Sequence, residues 1–404
     1  MAASNLVADD PLRHCINISE AKLIVATPDL VDHVPVSIGV RDLRRFSLNF
    51  GFVSLLSGTK ELRSGSTVTP IGPNDLVHLS VDPQFRRPVR LPKDVWVLMF
   101  TSGTTGKPKA VSLKNFLLIA VSAANAQDAT NPGRYYPLRT YSCLPLFHAT
   151  AFLTGLVHCC GVSGTLCLSR KFSASKFSQE LTESRATRML FVGELCRYIL
   201  SAPPSEYDKA HQCIVAAGNG LQGDVWVRFQ ERFNIPEIRE VYRSTESVAG
   251  FDNQNGGAIG VGKVGYSGAL GRFLEDTVFL VKYDHENENL YRDPKTGLCV
   301  QAAVGEPGEA IARVRFMEFY PDYYNNPEAN QSKLVKDVFK KGDLFQRLGD
   351  LLVRDKDGWI RFHERTGDTY RWRGENVSAG EVKEYMVQLP NIHDIVVYGT
   401  KLPG

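Results

Sequence analysis

The chain has 404 residues, of which 43% are hydrophobic, 10% aromatic and 23% charged, enough for a large buried core and about two to three domains. The 47 Lys and Arg against 44 Asp and Glu leave a net charge of +3, which excludes a mainly disordered chain and gives no electrostatic footprint for nucleic acid. The eight cysteines follow no CxxC or Cys/His ligand spacing and read as reduced, mostly buried thiols.

In chain order, the opening MAASNLVADDPLRHC lacks the basic and apolar regions of a secretory signal. Lys22–Ala26 (KLIVA), Val95–Phe100 (VWVLMF), Met189–Val192 and Cys213–Ala217 (CIVAA) are short apolar, β-rich runs that predict buried strands. Between them, Phe177–Arg185, Gly193–Leu200 and Asp224–Phe233 carry helical periodicity. In the last, Trp226, Phe229 and Phe233 share one face and Asp224 is a candidate N-cap. This alternation predicts an α/β fold with a largely parallel sheet. Thr140–Ser169 contains no Asp, Glu, Lys or Arg and is long enough to span a bilayer. Its Pro145, His148, His158 and three glycines favour a buried loop, helix and strand, with a peripheral membrane contact as the other reading. Further on, RDPKTG (292–297) and DKDG (355–358) have turn chemistry, the second as a hairpin between Leu351–Arg354 and Trp359–Phe362.

The chemistry concentrates in Thr101–Val111 (TSGTTGKPKAV), directly after VWVLMF. A strand, a loop rich in glycine and hydroxyls, then a helix make a phosphate cradle. Gly103 and Gly106 let backbone N–H groups approach an anion, Thr101, Ser102, Thr104 and Thr105 add hydroxyls, and Lys107 and Lys109 add charge. A Walker A loop is excluded, because Pro108 follows Lys107 where that motif needs Ser or Thr. GVGKVG (260–265) matches a dinucleotide fingerprint but lacks a strand before it and a helix after it. His158, Cys159 and Cys160 read as packing rather than a metal site, and Tyr135, Tyr136, Phe147 and Phe152 as core with an acyl tunnel as the alternative.

TSGTTGKPKAV resembles the signature loop of adenylate-forming enzymes, the superfamily of acyl-CoA synthetases, peptide-synthetase adenylation domains and luciferases. Further segments follow in the matching order. PLFHA (145–149) is similar to the loop whose His, here His148, lies near the acyl carboxylate. AGNGL (217–221), with Gly218, Asn219 and Gly220, resembles the stretch beside adenine. YRSTE (242–246) resembles the motif whose Tyr, here Tyr242, stacks on adenine, followed by Thr245 and by a magnesium-holding Glu, here Glu246. LGD (348–350) and ERTGD (364–368) are similar to segments in which Asp350 and Arg365 would contact ribose and Asp368 would be the hinge. KFSASKF (171–177), FVGELCRYIL (191–200) and RTGDTYRWRGENVS (365–378) are similar to the fatty acid transport protein group, the very-long-chain acyl-CoA synthetases. The resemblance runs from about Asn17 to the last residue.

The resemblance implies an adenylate-forming enzyme fold: a large domain of layered sheets and helices with a small β subdomain over 1–366, then a hinge and the start of a small α+β domain over 367–404. It implies ATP, Mg2+ and coenzyme A as reactants and cofactor, with Thr101, Lys109, His148 and Glu246 as catalytic groups and Thr101 and Glu246 at the metal. It also implies a location at the endoplasmic reticulum, peroxisome or lipid droplet, although no anchor is visible here. Relatives carry a longer N-terminal region and continue past the equivalent of Gly404, so the chain is expected to be short at both ends and to perform acyl-CoA synthesis poorly alone. GEV (380–382) and IVVYGT (395–400) are expected to open the small domain as helix and strand. Two departures stand out: Ala110 and Arg243 occupy positions where glycine is common, and Arg243 would narrow the acyl pocket or touch a phosphate. Three functions follow: a fatty acid:CoA ligase, an adenylating ligase for another acid, and a non-catalytic nucleotide- and fatty-acid-binding remnant.

Overall fold

The computed structural model describes residues 9–19, 23–26, 44–48, 68–71, 91–101, 108–123, 133, 136–254, 258–266, 268, 277–366, 369–372, 375–386 and 395–398. Helix α1 (Asp9–Ser19) precedes a parallel sheet of β1 (Leu23–Ala26), β2 (Arg44–Leu48) and β3 (Val68–Ile71). Next come β4 (Val95–Thr101) and β5 (Lys109–Lys114), which pair antiparallel, with Thr101 opposite Lys109. This corrects the expected strand, loop and helix order. Ala110, Val111, Ser112 and Leu113 are all buried, and residues 322–324 hydrogen-bond to the strand's other edge, so the run is a strand paired on both sides. Helix α2 (Asn115–Ala123) starts only after it, so no helix N-terminus follows the loop directly.

The main sheet contains β6 (Arg139–Ser142), β7 (Thr165–Leu168), β8 (Arg188–Val192), β9 (Val215–Asn219), β10 (Glu237–Tyr242) and β11 (Phe251–Asn253). Its order is β11-β10-β9-β8-β6-β7, parallel throughout except for the edge strand β11. The uncharged stretch divides into β6, a π-helix (Thr150–Val157), the short α3 (His158–Gly161) and β7. No helix among the described residues is long and apolar enough to cross a membrane. Helices α4 (Phe177–Glu183), α5 (Gly193–Ser201) and α6 (Gly223–Phe233) lie on one face of the sheet, joined to it through Phe177, Met189, Phe191, Cys196, Phe229 and Ile238. Trp226, Phe229 and Phe233 are buried as their spacing predicts, and the Trp226 indole donates to Gln230 Oε1 at 2.8 Å. The α6 cap differs from expectation. Gln222 occupies the N-cap without a side-chain bond, and Asp224 sits inside the first turn, where the helix dipole favours a carboxylate. Strand β9 starts at Val215 rather than Cys213, where pairing with β8 begins.

An antiparallel sheet follows, built from β12 (Gly265–Tyr266), β13 (Val278–Asp284), β14 (Asn289–Leu290), β15 (Pro307–Arg313), β16 (Leu334–Lys336), β17 (Leu344–Arg354) and β18 (Trp359–Arg365). Helix α7 (Pro327–Lys333) enters this sheet through β16, capped by Asn326, whose side chain accepts from Ala329 N. Both predicted turns form. Gly358 closes the β17–β18 hairpin with φ +92°, and Gly297 closes the 292–297 turn with φ +70°. The dinucleotide reading of 260–265 fails on its own terms, since a short 3-10 turn precedes the segment and β12, not a helix, ends it. At the end, β19 (Thr369–Trp372) pairs with β20 (Glu375–Ser378), and α8 (Ala379–Met386) includes the expected GEV helix. Of the strand expected at 395–400, residues 395–398 have no regular structure, and residues 399 and 400 lie outside the described residues.

The tightest approach in the main sheet lies where α5 begins. A Cβ on Gly193 would lie 1.7 Å from the Gly220 carbonyl oxygen, an impossible contact with backbone. Gly193→Ala is therefore expected to destabilise the fold by about 1–3 kcal/mol, the usual overpacking cost. A thermal melt should show a clear drop in midpoint, and a wild-type melt would mean that this backbone contact does not exist in solution.

Candidate active site

The expected site residues come from loops at the C-terminal ends of β9 and β10, from the β4–β5 hairpin, and from β17–β18. At the hairpin mouth, Thr101 Oγ1 donates to the Lys109 carbonyl at 3.5 Å. Ser102, Gly103, Thr104, Thr105, Gly106 and Lys107 lie outside the described residues, as do Asp368 and Tyr135. Strand β5 carries the next contact. Ser112 N donates to Asp322 O at 2.8 Å and Tyr324 N to Ala110 O at 2.7 Å, so Tyr323 lies against the hairpin. Its backbone is fixed again by Asn330, which accepts from Tyr323 N at 2.6 Å and donates to Tyr323 O at 2.9 Å.

Tyr323 then reaches two of the expected functional groups. Its hydroxyl donates to Glu246 Oε1 at 3.0 Å, and the Lys109 ammonium sits 5.2 Å from its ring centroid. Burial and the adjacent Glu246 charge push the Tyr323 phenol well above its ordinary range, so it stays a neutral donor. Lys333, at the end of α7, places its ammonium 3.9 Å from the same Glu246 oxygen. Glu246 and Thr245 ride on a turn in which Ser247 N donates to Ser244 O at 3.2 Å and Ser244 N to Ser247 Oγ at 3.1 Å. Buried Gln346 of β17 holds that turn from behind. Its amide donates to Glu246 O at 2.8 Å and accepts from Val248 N at 2.9 Å.

A second pair forms one strand away. Tyr242, the last residue of β10, donates its hydroxyl to Asp350 Oδ2 at 2.7 Å. Asp350 faces Arg365 across β17–β18, with Oδ1 3.8 Å from the Arg365 Nε. Burial raises the Asp350 carboxyl above its ordinary value, although the Tyr242 hydroxyl and Arg365 both work to lower it. Arg365 is 65% exposed, so its attraction is heavily screened.

The Gly218–Leu221 loop ends β9. Gly218 has no room for a side chain, since a Cβ would meet Phe191 O at 2.1 Å, and Gly220 turns the chain with φ +79°. The buried Asn219 Oδ1 has no hydrogen-bond partner among the described residues. Such an orphan acceptor costs free energy unless a ligand supplies a donor, and an adenine amino group is one. The Gly220 and Leu221 amides donate to Glu240 of β10.

Among the described residues no hydrogen bond or ring contact links His148 to these groups. His148 precedes the π-helix, accepts from Phe152 N with its carbonyl, and places its ring 4.5 Å from Phe147. Phe152 stacks on Trp96 at 5.3 Å within the cluster around Met99, Val111 and Leu113, so it is core. His158 is buried, with Nδ1 3.3 Å from Val121 O. The half-exposed Arg243 guanidinium pairs with Asp252 at 3.2 Å, along the sheet edge. Tyr323, Lys333, Gln346 and Glu240 were not legible as site residues. The Tyr323 and Gln346 contacts to Glu246 cross 77 and 100 residues and carry no local signal.

A parallel α/β sheet whose loops face an antiparallel sheet, with Tyr, Asp and Glu groups between them, defines the adenylate-forming fold. Solved structures share it. A benzoate CoA ligase from Burkholderia xenovorans LB400 superposes with a TM-score of 0.72 at 18% identity, over 99% of this chain and 70% of that one. ATP-bound MatB from Rhodopseudomonas palustris gives 0.69 at 20% identity, over 97% and 68%. The profile of the AMP-binding enzyme family matches residues 3–309, and the chain belongs to that family. It is 34% identical to a very long-chain fatty acid transport protein of Cochliobolus heterostrophus, over 97% of this chain and 58% of that protein. It is also 34% identical to human long-chain fatty acid transport protein 3, over 98% and 55%. Isopenicillin N epimerase component 1 of Hapsidospora chrysogena is 38% identical over 76% and 51%. The chain thus spans little more than half the length of these curated relatives.

The Tyr323 contacts can be tested without any ligand. Tyr323→Phe keeps the ring beneath Lys109 and removes the donor to Glu246. We expect a loss of about 1–2 kcal/mol, between a neutral and a charge-assisted hydrogen bond. Chemical denaturation should show the transition at lower denaturant, and an unchanged transition would count against the Tyr323–Glu246 bond.

Proposed function

We propose that the chain carries the adenylation half of an acyl-CoA synthetase acting on long or very-long-chain fatty acids. The observation that carries the reading is the grouping of Glu246, Tyr323 and Lys109 beside the Tyr242–Asp350–Arg365 set, in a chain 34% identical to fatty acid transport proteins. In the first step a substrate carboxylate oxygen attacks the ATP α-phosphorus, the bond to pyrophosphate breaks, and acyl-adenylate forms. In the second, the CoA thiolate attacks the acyl carbon and AMP leaves. Both reactants of the first step are anions, so the chain must offset charge where they meet.

The named residues divide that work. Ser102–Lys107, together with Thr101 and Lys109, would cradle the phosphates, with the hydroxyls donating and the ammonium groups balancing charge. Gly218, Asn219 and Gly220 would border adenine, and Tyr242 would stack on it. Asp350 would accept from ribose hydroxyls and Arg365 would donate. His148 would stand near the acyl carboxylate. Glu246 suits Mg2+, because Oε1 is tied to Tyr323 while Oε2 takes no hydrogen bond among the described residues. One carboxylate, the Thr101 hydroxyl and substrate phosphates make the hard oxygen set that Mg2+ takes. When bound, the ion would neutralise phosphate charge that builds up during displacement. We assign residues 1–366 to the large adenylating unit and 367–404 to a hinge at Asp368 and the opening of a smaller unit.

The 38% identity to isopenicillin N epimerase component 1 supports a second reading, in which the acid is not a fatty acid. Acid-dependent pyrophosphate release by the purified chain separates the two. The substrates would be C16–C24 fatty acids alongside hydroxylated and dicarboxylic acids. Release with fatty acids is expected, and Glu246→Ala should lower it by about 10²–10³, the usual cost of one electrostatic contact in a transition state. Release only with other acids would favour the second reading. Tight ATP binding with no release from any acid would mean a non-catalytic role.

A further inference from the structure

We propose that Glu240 is a positioning residue that holds the Gly218–Leu221 loop for an adenine nucleotide and makes nucleotide affinity fall as pH rises above neutral. The proposal rests on the nucleotide reading of that loop given above. Glu240 lies two residues before Tyr242 on β10, and its side chain is 2% exposed. It stands opposite Gly218 in the β9–β10 register, so the carboxyl faces a position with no side chain. Oε1 accepts from Gly220 N and, at 3.3 Å, from Leu221 N, and Oε2 lies 3.4 Å from Leu221 N. The same turn is bounded on its carbonyl side by Gly193, where α5 begins. Gly220 is therefore gripped from both ends of its peptide, and Asn219, with its orphan acceptor, is carried by that grip. Without the carboxyl, the Gly220 and Leu221 N–H groups, the second of them buried, would lose their acceptor, and a loop free to turn them toward water would no longer present Asn219 in one place.

An amide would accept the same two bonds, so the acid form has a separate consequence. Strand β9 brings no titratable side chain to Glu240, β11 brings only Asn253 across from it, and α5 brings the Cys196 thiol, which burial keeps protonated. None of these neighbours is a cation. Burial therefore outweighs the two N–H bonds and pushes the Glu240 carboxyl up to about 8. The sign follows directly. The folded value lies above the ordinary 4.5, so the protonated acid's stabilisation is complete below that value and is lost as pH rises through about 8. A nucleotide covering the loop excludes water and adds negative charge, and both oppose ionisation further. Nucleotide thus binds the protonated form better, and its dissociation constant must increase once Glu240 ionises.

Titration calorimetry with ATP on the full chain between pH 7 and 9.5 tests this, in a range above the phosphate titration near about 6. The unaltered chain should show a dissociation constant that grows with pH, approaching at most about tenfold per unit. Glu240→Gln keeps both acceptor bonds and should match the unaltered chain at pH 7, yet stay flat within about twofold at higher pH. Amide exchange at Gly220 and Leu221 reads the grip without ligand: it should be much faster in Glu240→Ala and unchanged in Glu240→Gln. A Glu240→Gln profile parallel to that of the unaltered chain would overturn the pH claim. Protected Gly220 and Leu221 amides in Glu240→Ala would overturn the positioning role. If the unaltered chain binds no ATP at any pH, the nucleotide reading of the loop fails and the affinity claim with it, while the exchange result still judges the grip. Should Glu240→Ala not fold, exchange at these amides in the unaltered chain at pH 7 and 9.5 decides the positioning role, since ionisation of a group that contacts them must change their protection.

Discussion

Two hydrogen bonds, Ser112 N to Asp322 O and Tyr324 N to Ala110 O, attach residues 322–324 to the second edge of β5 as an isolated antiparallel bridge. The rest of the site depends on this attachment. It sets Tyr323 between the hairpin that carries the hydroxyl-rich loop and the turn that carries Glu246. Asn330 fixes the Tyr323 backbone from α7, and the same helix delivers Lys333 to Glu246. On the far side Gln346 ties the Glu246 turn to β17, three residues before Lys-facing Gly349 and Asp350 come into reach. Three pieces of sheet thereby meet at Glu246, through the Tyr323 hydroxyl on its carboxylate and the Gln346 amide on its backbone carbonyl. The exposed ion pairs around them contribute little, about 0–1 kcal/mol each.

That arrangement explains which parts of the molecule were legible in the sequence. The strands β1, β4, β8 and β9 and helices α4 to α6 are short apolar runs or one-faced helices, so periodicity alone placed them. The DKDG hairpin was set by its turn chemistry. The stretch after Lys109 was misread because the KAVSLK run has no alternation. It is buried on both faces, and its second edge partner lies more than 200 residues away, beyond any local pattern. The same reason hides Tyr323, Lys333 and Gln346. Motif residues such as Tyr242, Glu246 and Asp350 announce themselves by resemblance, whereas the groups that hold them are fixed only by tertiary pairing. Glu240 is an intermediate case. It sits two residues from a legible motif, but its role comes from facing a glycine on the neighbouring strand.

The charge pattern is asymmetric in a way that suits the proposed reaction. Around Glu246 the neighbours are Lys109, Lys333 and a neutral phenol, so the local sum is positive before any ligand arrives. Around Asp350 the cations that act on the carboxyl are the exposed Arg365 and Lys333, and burial disfavours the charged carboxylate. On the proposed reading the triphosphate would lie on the hairpin side and the uncharged sugar toward β17, so the polarity of the site would help to orient the nucleotide.

Asp350 poses the remaining physical question, because the Tyr242 hydroxyl already occupies one of its oxygens. On the proposed reading Asp350 must accept from ribose, and Tyr242 must present its ring to adenine. A carboxylate offers about four lone-pair sites, and the Tyr242 bond uses one of them. Ribose hydroxyls can then be added at Oδ1 and at the second lone pair of Oδ2 without breaking the Tyr242 bond. Keeping that bond has an advantage: it fixes the ring plane of Tyr242 at the end of β10, where Phe251 packs 6.2 Å away. Had the bond to be exchanged, the net change would be small, since one hydrogen bond would replace another of about 0.5–1.5 kcal/mol. In either geometry the pairing supplies orientation rather than affinity. On the proposed reading, binding strength would come from the phosphate side, where Lys333 stands beside Glu246 and Lys109 lies over the Tyr323 ring.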